Sequence, residues 1–484
     1  MKYNSFLIMF FLLSIIFPNV YAQQLNNNLE IGFKSIKPME VYNYCKKIAS
    51  DEFAGRLTGH DGYTKAADWA ADKFNKWRLK PINENDGYLQ PYSSPYTVIE
   101  SAELKFHIIQ DDGTFEDTTL TPLDDFLPIL FSGSGSNTSG VVFVGWGISA
   151  PSLGYDDYAG VDVNGKYVVC FRGQPVRGDT AFFHHDHHRT RMEIAKSKGA
   201  LGLFYIYPTA NANPNGEYLP DFTPAIITED IADLLLKEKG TNSKELKKSI
   251  TGILEPNSFE LSSKISYSVS ADNHPEGIGY NIVGYVEGND PALQDECIVI
   301  GGHFDHCGEH MGIIFPGAND NASGSAVVME IAEAFSKLNE APKRSVVFVL
   351  FGGEEMGLEG SDYFADHLPS QFTKIDAMFN HDMNGEGEGT RYGYTAHEGF
   401  NDNIIEADKL VNTLRGSREI KQVGVRSSDY APFFRKGAAC AAFFSNGPHL
   451  HYHLPGDTIY RINPDILADI AKLSFIAAYN WSNR

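Results

Sequence analysis

From residue 281 onward the chain alternates between two textures, and that alternation limits the folds open to it. Short apolar runs at 297–301, 345–351 and 438–444 give way in turn to longer ones at 322–338, 401–414 and 464–481. Strand-like runs alternating with helix-like runs imply an α/β sheet with helices on both faces. The last run is the clearest helix, because Ile466, Leu467, Ile470, Leu473, Ile476 and Ala477 fall on one side of it. In such sheets, groups that hold a ligand sit on loops at the carboxyl ends of the strands.

The preceding residues read differently. Residues 36–80 have helical spacing, with Ala66, Ala67, Trp69, Ala70, Phe74 and Trp77 on one face and Pro81 as a stop. From about 100 to 270 the texture is short apolar runs such as 141–144 and 167–170, punctuated by Gly, Pro, Asp and Asn. One helix near 191–199 interrupts it, followed by the apolar run 201–207. This is a β-rich insert, and the chain divides into 1–22, 23–110, 111–270 and 271–484. The first 22 residues combine Lys2, an apolar run over 6–17 and Val20-Tyr21-Ala22, which reads as a cleaved signal peptide. The expectation is an exported protein, secreted or periplasmic, with no membrane attachment after cleavage. A net charge of −22 over 484 residues argues against a nucleic-acid partner. Five cysteines without a CxxC pair exclude a disulfide scaffold and a thiolate zinc ribbon.

Five segments carry the chemistry: GGHFDHCG at 301–308, GANDNASG at 317–324, FGGEEMGLEGS at 351–361, NHDMNG at 380–385 and HYHLPGD at 451–457. Singly, each has a bland reading as a structural pair, a turn or a solvated face. In order, each beside a strand or helix end, they offer His, Asp, Glu, Asp and His without a thiolate, a donor set suited to zinc in an open catalytic site. Two metals roughly 3.5–4 Å apart need a bridging carboxylate and further ligands on each side. The adjacent Glu354 and Glu355 can supply one ligand and one base.

These segments resemble the secreted double-zinc aminopeptidases of the M28 peptidase family. The resemblance is strong over 276–484 and extends to the helical lead-in SDEFAGRLTGHDGYTKAADW at 50–69. It implies the zinc exopeptidase fold, a mixed central β-sheet with helices on both faces, and two zinc ions. His303 and Asp382 would hold one ion, Glu355 and His453 the other, with Asp320 bridging. Glu354 would be the general base toward a water activated by the two zincs, and Asp305 would orient the His303 ring. Tyr452 would stabilise the tetrahedral oxyanion. The segment SSDYAPF at 427–433 departs from the family pattern, because Tyr430 stands where a His is common. Residues 154–170 and 196–206 resemble a protease-associated domain, a β-rich insert that covers the active site in secreted peptidases. The implied activity is removal of N-terminal residues from peptides. Three alternatives share parts of the pattern. A carboxypeptidase of the same family would need a cation such as Arg426 or Arg391 for the substrate carboxylate. A glutaminyl cyclase works with one zinc. A non-catalytic binding relative loses ligands.

Two further features have plain readings. The tract HHDHH at 184–188 lies apart from the five motifs and reads as an exposed loop rather than a metal site. Cys307, close to His303, reads as packing rather than a nucleophile. His449, His451 and His453 alternate and would share one face of a regular strand, so spacing does not choose among them. The break expected at Leu454-Pro455-Gly456 and the resemblance favour His453, leaving His451 as a neighbour and His449 as a strand residue.

Overall fold

The computed structural model describes residues 27–82, 87–387, 390–394, 399–411, 420–422 and 428–484, with the backbone alone for 390–394 and 420–422. The signal-peptide reading, Arg426 and the side chain of Arg391 lie outside the described residues. A nine-stranded mixed sheet forms the centre. Four of its strands run parallel and side by side, in the order Ser345–Phe351, Glu296–His303, Lys374–His381 and Ala439–Ser445. Ile278–Val286 flanks them antiparallel on one side and Thr390–Tyr394 on the other. All four parallel strands thus end on the same edge, which is where the motifs at 301–308, 351–361 and 380–385 lie.

The central strands are apolar throughout because both faces are covered. Ile298 and Ile300 pack with Phe348 and Phe379 on one side, while Val299, Val347 and Met378 pack on the other. The period of two along each strand sends successive residues to opposite cores. Helices Pro38–Ile48, Gly324–Ser336 and Pro464–Ser482 cover the first face. Glu359–Asp366 and Tyr430–Arg435 cover the second. This is the mixed α/β architecture that the alternating sequence implies.

A second sheet of eight strands is built from residues in the range 96–274. Strands Gly135–Val144, Tyr167–Phe171, Gly202–Tyr207 and Ala225–Thr228 lie parallel, and the long ribbon of Tyr96–Ile109 and Ser258–His274 closes one side. The sheet therefore begins before residue 111 and ends after 270. The difference arises because Tyr96–Ile109 alternates buried and exposed residues and pairs only within this sheet. The region also holds more helix than its turn-rich sequence suggests: His188–Ser197, Glu229–Leu236 and Ser243–Ile250. The last two are only eight residues long, too short for periodicity to reveal. Among the described residues no helix is long and apolar enough to cross a membrane.

Candidate metal centre

The carboxyl ends of the four parallel strands deliver the site. His303 is the last residue of its strand, and Asp382 directly follows His381 at the end of the next. Glu354 and Glu355 sit in the loop after Phe351, and His453 in the turns after Ser445. Asp320 comes from the irregular turn before the helix Gly324–Ser336, the other common place for a ligand group.

The five side chains converge around Asp320. Its Oδ1 lies 3.3 Å from Nε2 of His303, and its Oδ2 lies 3.1 Å from Nε2 of His453. Asp382 Oδ1 is 3.4 Å from the same nitrogen of His303, and Glu355 Oε2 is 2.9 Å from that of His453. Two donors on one tetrahedral zinc stand roughly 3.3 Å apart, given bonds near 2.0–2.1 Å. Each histidine therefore meets its own carboxylate and one oxygen of a shared aspartate at the spacing a metal imposes.

The protonation pattern points the same way. Nδ1 of His453 lies 2.8 Å from the carbonyl oxygen of Ala212 and serves as its donor there. Its Nε2, though close to two carboxylates, is buried and meets neither with hydrogen-bond geometry, and the same holds for Oδ2 of Asp320. A cation would satisfy this nitrogen and the carboxylates facing it together, in the place a proton otherwise takes. Burial opposes charge on His303 and His453, yet Glu354 and Asp382 around the first and Glu355 and Asp320 around the second hold both well above the usual imidazole range. These residues fit a pair of zinc ions.

The two adjacent glutamates are driven apart. Burial works to raise Glu355, but His453 and its hydrogen-bond partners bring it down to about 2. Burial raises Glu354 well above the carboxylate range, with Glu355, Asp429 and Asp382 adding to it. The two neighbours are thus pushed in opposite directions, which is how acid–base roles separate. Their loop is held by Asp305, whose two carboxylate oxygens accept the backbone N–H groups of Glu354 and Glu355, both at 3.2 Å. Asp305 meets His303 mainly through its carbonyl oxygen, 3.3 Å from Nδ1, since its carboxylate is 3.7 Å away. The Asp305 carboxylate read from the sequence as a partner of the His303 ring thus also braces the glutamate loop. Gly353 adopts φ +67°, and a side chain at Gly352 would strike the hydroxyl of Tyr63, so this loop requires its glycines.

The Asn-Asp-Asn turn is braced on both flanks. Asn319 Oδ1 accepts the N–H groups of Gly385 and Glu386, and Asn321 Oδ1 accepts those of Gly324 and Met383. Asp457 accepts the N–H groups of Asn319 and Asp320. Ser428 donates to Oδ2 of Asp382 at 2.7 Å.

Among the three C-terminal histidines, only His453 enters the centre. His449 is not in a strand: the strand stops at Ser445, Gly447 and Pro448 follow, and His449 takes φ +50° with its ring 3.0 Å from Asn319 Nδ2. Tyr452 stacks on His453 with ring centroids 3.8 Å apart and is 46% exposed.

Sequence reading passed over several contributors. His306 lies inside the first motif, and its Nδ1 is 2.9 Å from Oε1 of Glu355. Arg56 is fully buried and donates to four carbonyl oxygens, those of Ile48, Phe304, Pro316 and Gly317. It thereby ties the loop after His303 to the turn before Asp320. Burial lowers its pKa to about 10, which leaves it charged at neutral pH. Cys307 is a buried free thiol, pushed up by burial and packed with Phe315 against the second sheet, so its thiolate is disfavoured. The other four cysteines are also free and buried.

The HHDHH tract does not form a metal cluster among the described residues. Asp186 pairs with Arg191 at 2.7 Å. His188 is not exposed: it starts a helix, is buried against Tyr205, and lines the same cavity as Glu354, Glu355, Tyr452 and His453.

Comparison with known proteins places this geometry. Residues 281–477 match the model of Peptidase family M28. Aminopeptidase YwaD of Bacillus subtilis is 25% identical over 346 residues, covering 69% of this chain and 67% of its own. Leupeptin-inactivating enzyme 1 of Streptomyces exfoliatus is 34% identical over 175 residues, but only 37% of its length is spanned. The aminopeptidase from Aneurinibacillus sp. strain AM-1 superposes with a TM-score of 0.64 at 23% identity, over 94% of this chain and 95% of that one. A zinc aminopeptidase from Bacillus subtilis gives 0.62 at 18% identity, over 92% and 95%. At these identities the likeness is one of fold, and it extends over both sheets.

Proposed function

We propose that the chain is an exported zinc aminopeptidase of the M28 family, binding two zinc ions and releasing N-terminal residues from peptides. The observation that carries the reading is the placing of Asp320 between two imidazoles, each with its own carboxylate. The match over residues 281–477 and relatives described as aminopeptidases support it. His303 and Asp382 would hold one ion, Glu355 and His453 the other, and Asp320 both. When bound, the ions supply Lewis acidity to the scissile carbonyl.

The protein's own part is proton handling and positioning. Glu354 takes a proton from the attacking water and returns it to the leaving amine, and it lines the cavity without being one of the five converging groups. Asp305 keeps its loop in place through two amides. Tyr452, half exposed on the same cavity, serves as the hydroxyl donor to the oxyanion. Export rests on the sequence of residues 1–22 alone, and the second sheet acts as the protease-associated cover of the site.

The test is metal analysis joined to a substrate panel. The purified protein should carry two zinc ions per chain and hydrolyse aminoacyl anilides and peptides with a free α-amine. N-acetylated peptides should be inert. Release of C-terminal residues from N-acetylated peptides would overturn the reading in favour of a carboxypeptidase.

A further inference from the structure

The parallel strands of the second sheet also end at the crevice. Arg172 directly follows the strand Tyr167–Phe171, and Tyr207 closes the neighbouring strand Gly202–Tyr207. Because Phe171 pairs with Ile206, the two residues stand side by side, and Nη1 of Arg172 donates to the Tyr207 hydroxyl at 2.5 Å. Arg191, Arg344 and Arg435 each pair with a carboxylate. Among the described residues no carboxylate forms such a pair with Arg172, although the chain carries 62 acidic residues against 40 basic ones. Arg172, an exposed residue, instead lines a cavity of about 310 Å³ together with Glu354, Glu355 and His453.

That cavity therefore carries both signs of charge, Glu354 and Glu355 from the first sheet's loop and Arg172, without an ion pair, from the second sheet. A short peptide in its zwitterionic form carries both signs as well. The planar fork of arginine suits a carboxylate, with two parallel hydrogen bonds. The volume lies at the small end of ligand cavities, roughly 300–1,000 Å³, which favours a short chain over a long one. On the same wall, Oδ1 of Asn211 and Nδ1 of His188 are buried without a hydrogen-bond partner among the described residues.

We propose that Arg172 anchors the C-terminal carboxylate of the substrate, so that the preferred substrates are short free-acid peptides. The proposal rests on the aminopeptidase reading for which terminus is cleaved, and on the cavity alone for which terminus is held. The second sheet then sets substrate length as well as covering the site.

The experiment compares one tripeptide as free acid and as C-terminal amide, with two readouts. For the zinc-loaded protein, kcat/KM should favour the free acid by roughly 10- to 100-fold, the range for a charge-assisted pair. In Arg172→Ala the two values should converge, and Arg172→Lys should restore part of the preference. Calorimetry on the Glu354→Gln variant should show the same preference in Kd without turnover. Equal handling of acid and amide by the unmodified protein, or a preference untouched in Arg172→Ala, overturns the anchor. A carboxylate-dependent Kd together with release of the C-terminal residue leaves the anchor standing and overturns the aminopeptidase reading instead.

Discussion

Both sheets of the molecule bury two faces behind alternating apolar residues, and both run parallel strands whose carboxyl ends open on one crevice. They equip that crevice differently. The nine-stranded sheet supplies imidazoles and carboxylates, each held by further hydrogen bonds from neighbouring loops. The eight-stranded sheet supplies an arginine, a tyrosine hydroxyl, amides and one backbone carbonyl. Reactive groups require tight bracing, because a ligand displaced by a fraction of an ångström no longer meets its metal. Groups that meet a substrate need only be within reach. The contact between Ala212 and His453 is where the two kinds of support meet: the second sheet holds the tautomer of a residue on the first.

Five variants test this division, taken from the largest expected effect downward. His453→Ala should lose one zinc and nearly all activity, while His451→Ala keeps both ions; metal content measured on each variant decides it. The reverse pattern would move the ligand by two residues. Glu354→Gln should lower kcat by about 10²–10⁴-fold and retain two zinc ions, and loss of metal there would exchange the roles of the two glutamates. Arg189→Ala removes two donors, to the carbonyl oxygens of Gly216 and Met356, that join the second sheet to the loop of Glu355. A contact supporting a ligand from outside is worth about 10–100-fold in metal affinity or activity, and this one, a residue removed, should fall at the low end in a zinc-competition titration. Alanine at His184, His185 and His187 together should leave the zinc content at two. A fall to one would place a ligand on the second sheet and end the contrast.

The sequence made the first sheet legible and the second only in outline. The near-continuous apolar runs at 297–301 and 345–351 predict strands because both faces are buried there, and three of the five motifs mark strand ends. His303, Asp320, Glu354, Glu355, Asp382 and His453 all arrive at one place. What escaped reading acts through backbone or across long separations. Ala212 contributes a carbonyl oxygen, which any residue has. Arg56 reaches Phe304 and Gly317 across about half the chain, and an isolated arginine gives no spacing signal. His306 was visible but indistinguishable from its neighbour at three residues' distance. The ribbon strand Tyr96–Ile109 was assigned to the wrong side of a boundary because its alternation runs through exposed charges such as Glu100 and Glu103. The alternation of His449, His451 and His453 continues past Ser445, where the strand ends, so it is no sign of a strand there.

Arg56 carries a consequence for stability. Its guanidinium satisfies carbonyls from the N-terminal segment and from both loops that present His303 and Asp320. Ligand binding at a site and the integrity of the elements that shape it share one free energy, and the exchange is reciprocal. Removing the ions should therefore be felt first far along the chain from any ligand. Chelation would speed amide hydrogen exchange in the 3-10 turn Asp51–Arg56 and the end of helix Pro38–Ile48, and zinc would slow it, making the opening residues of the fold a reporter of metal occupancy.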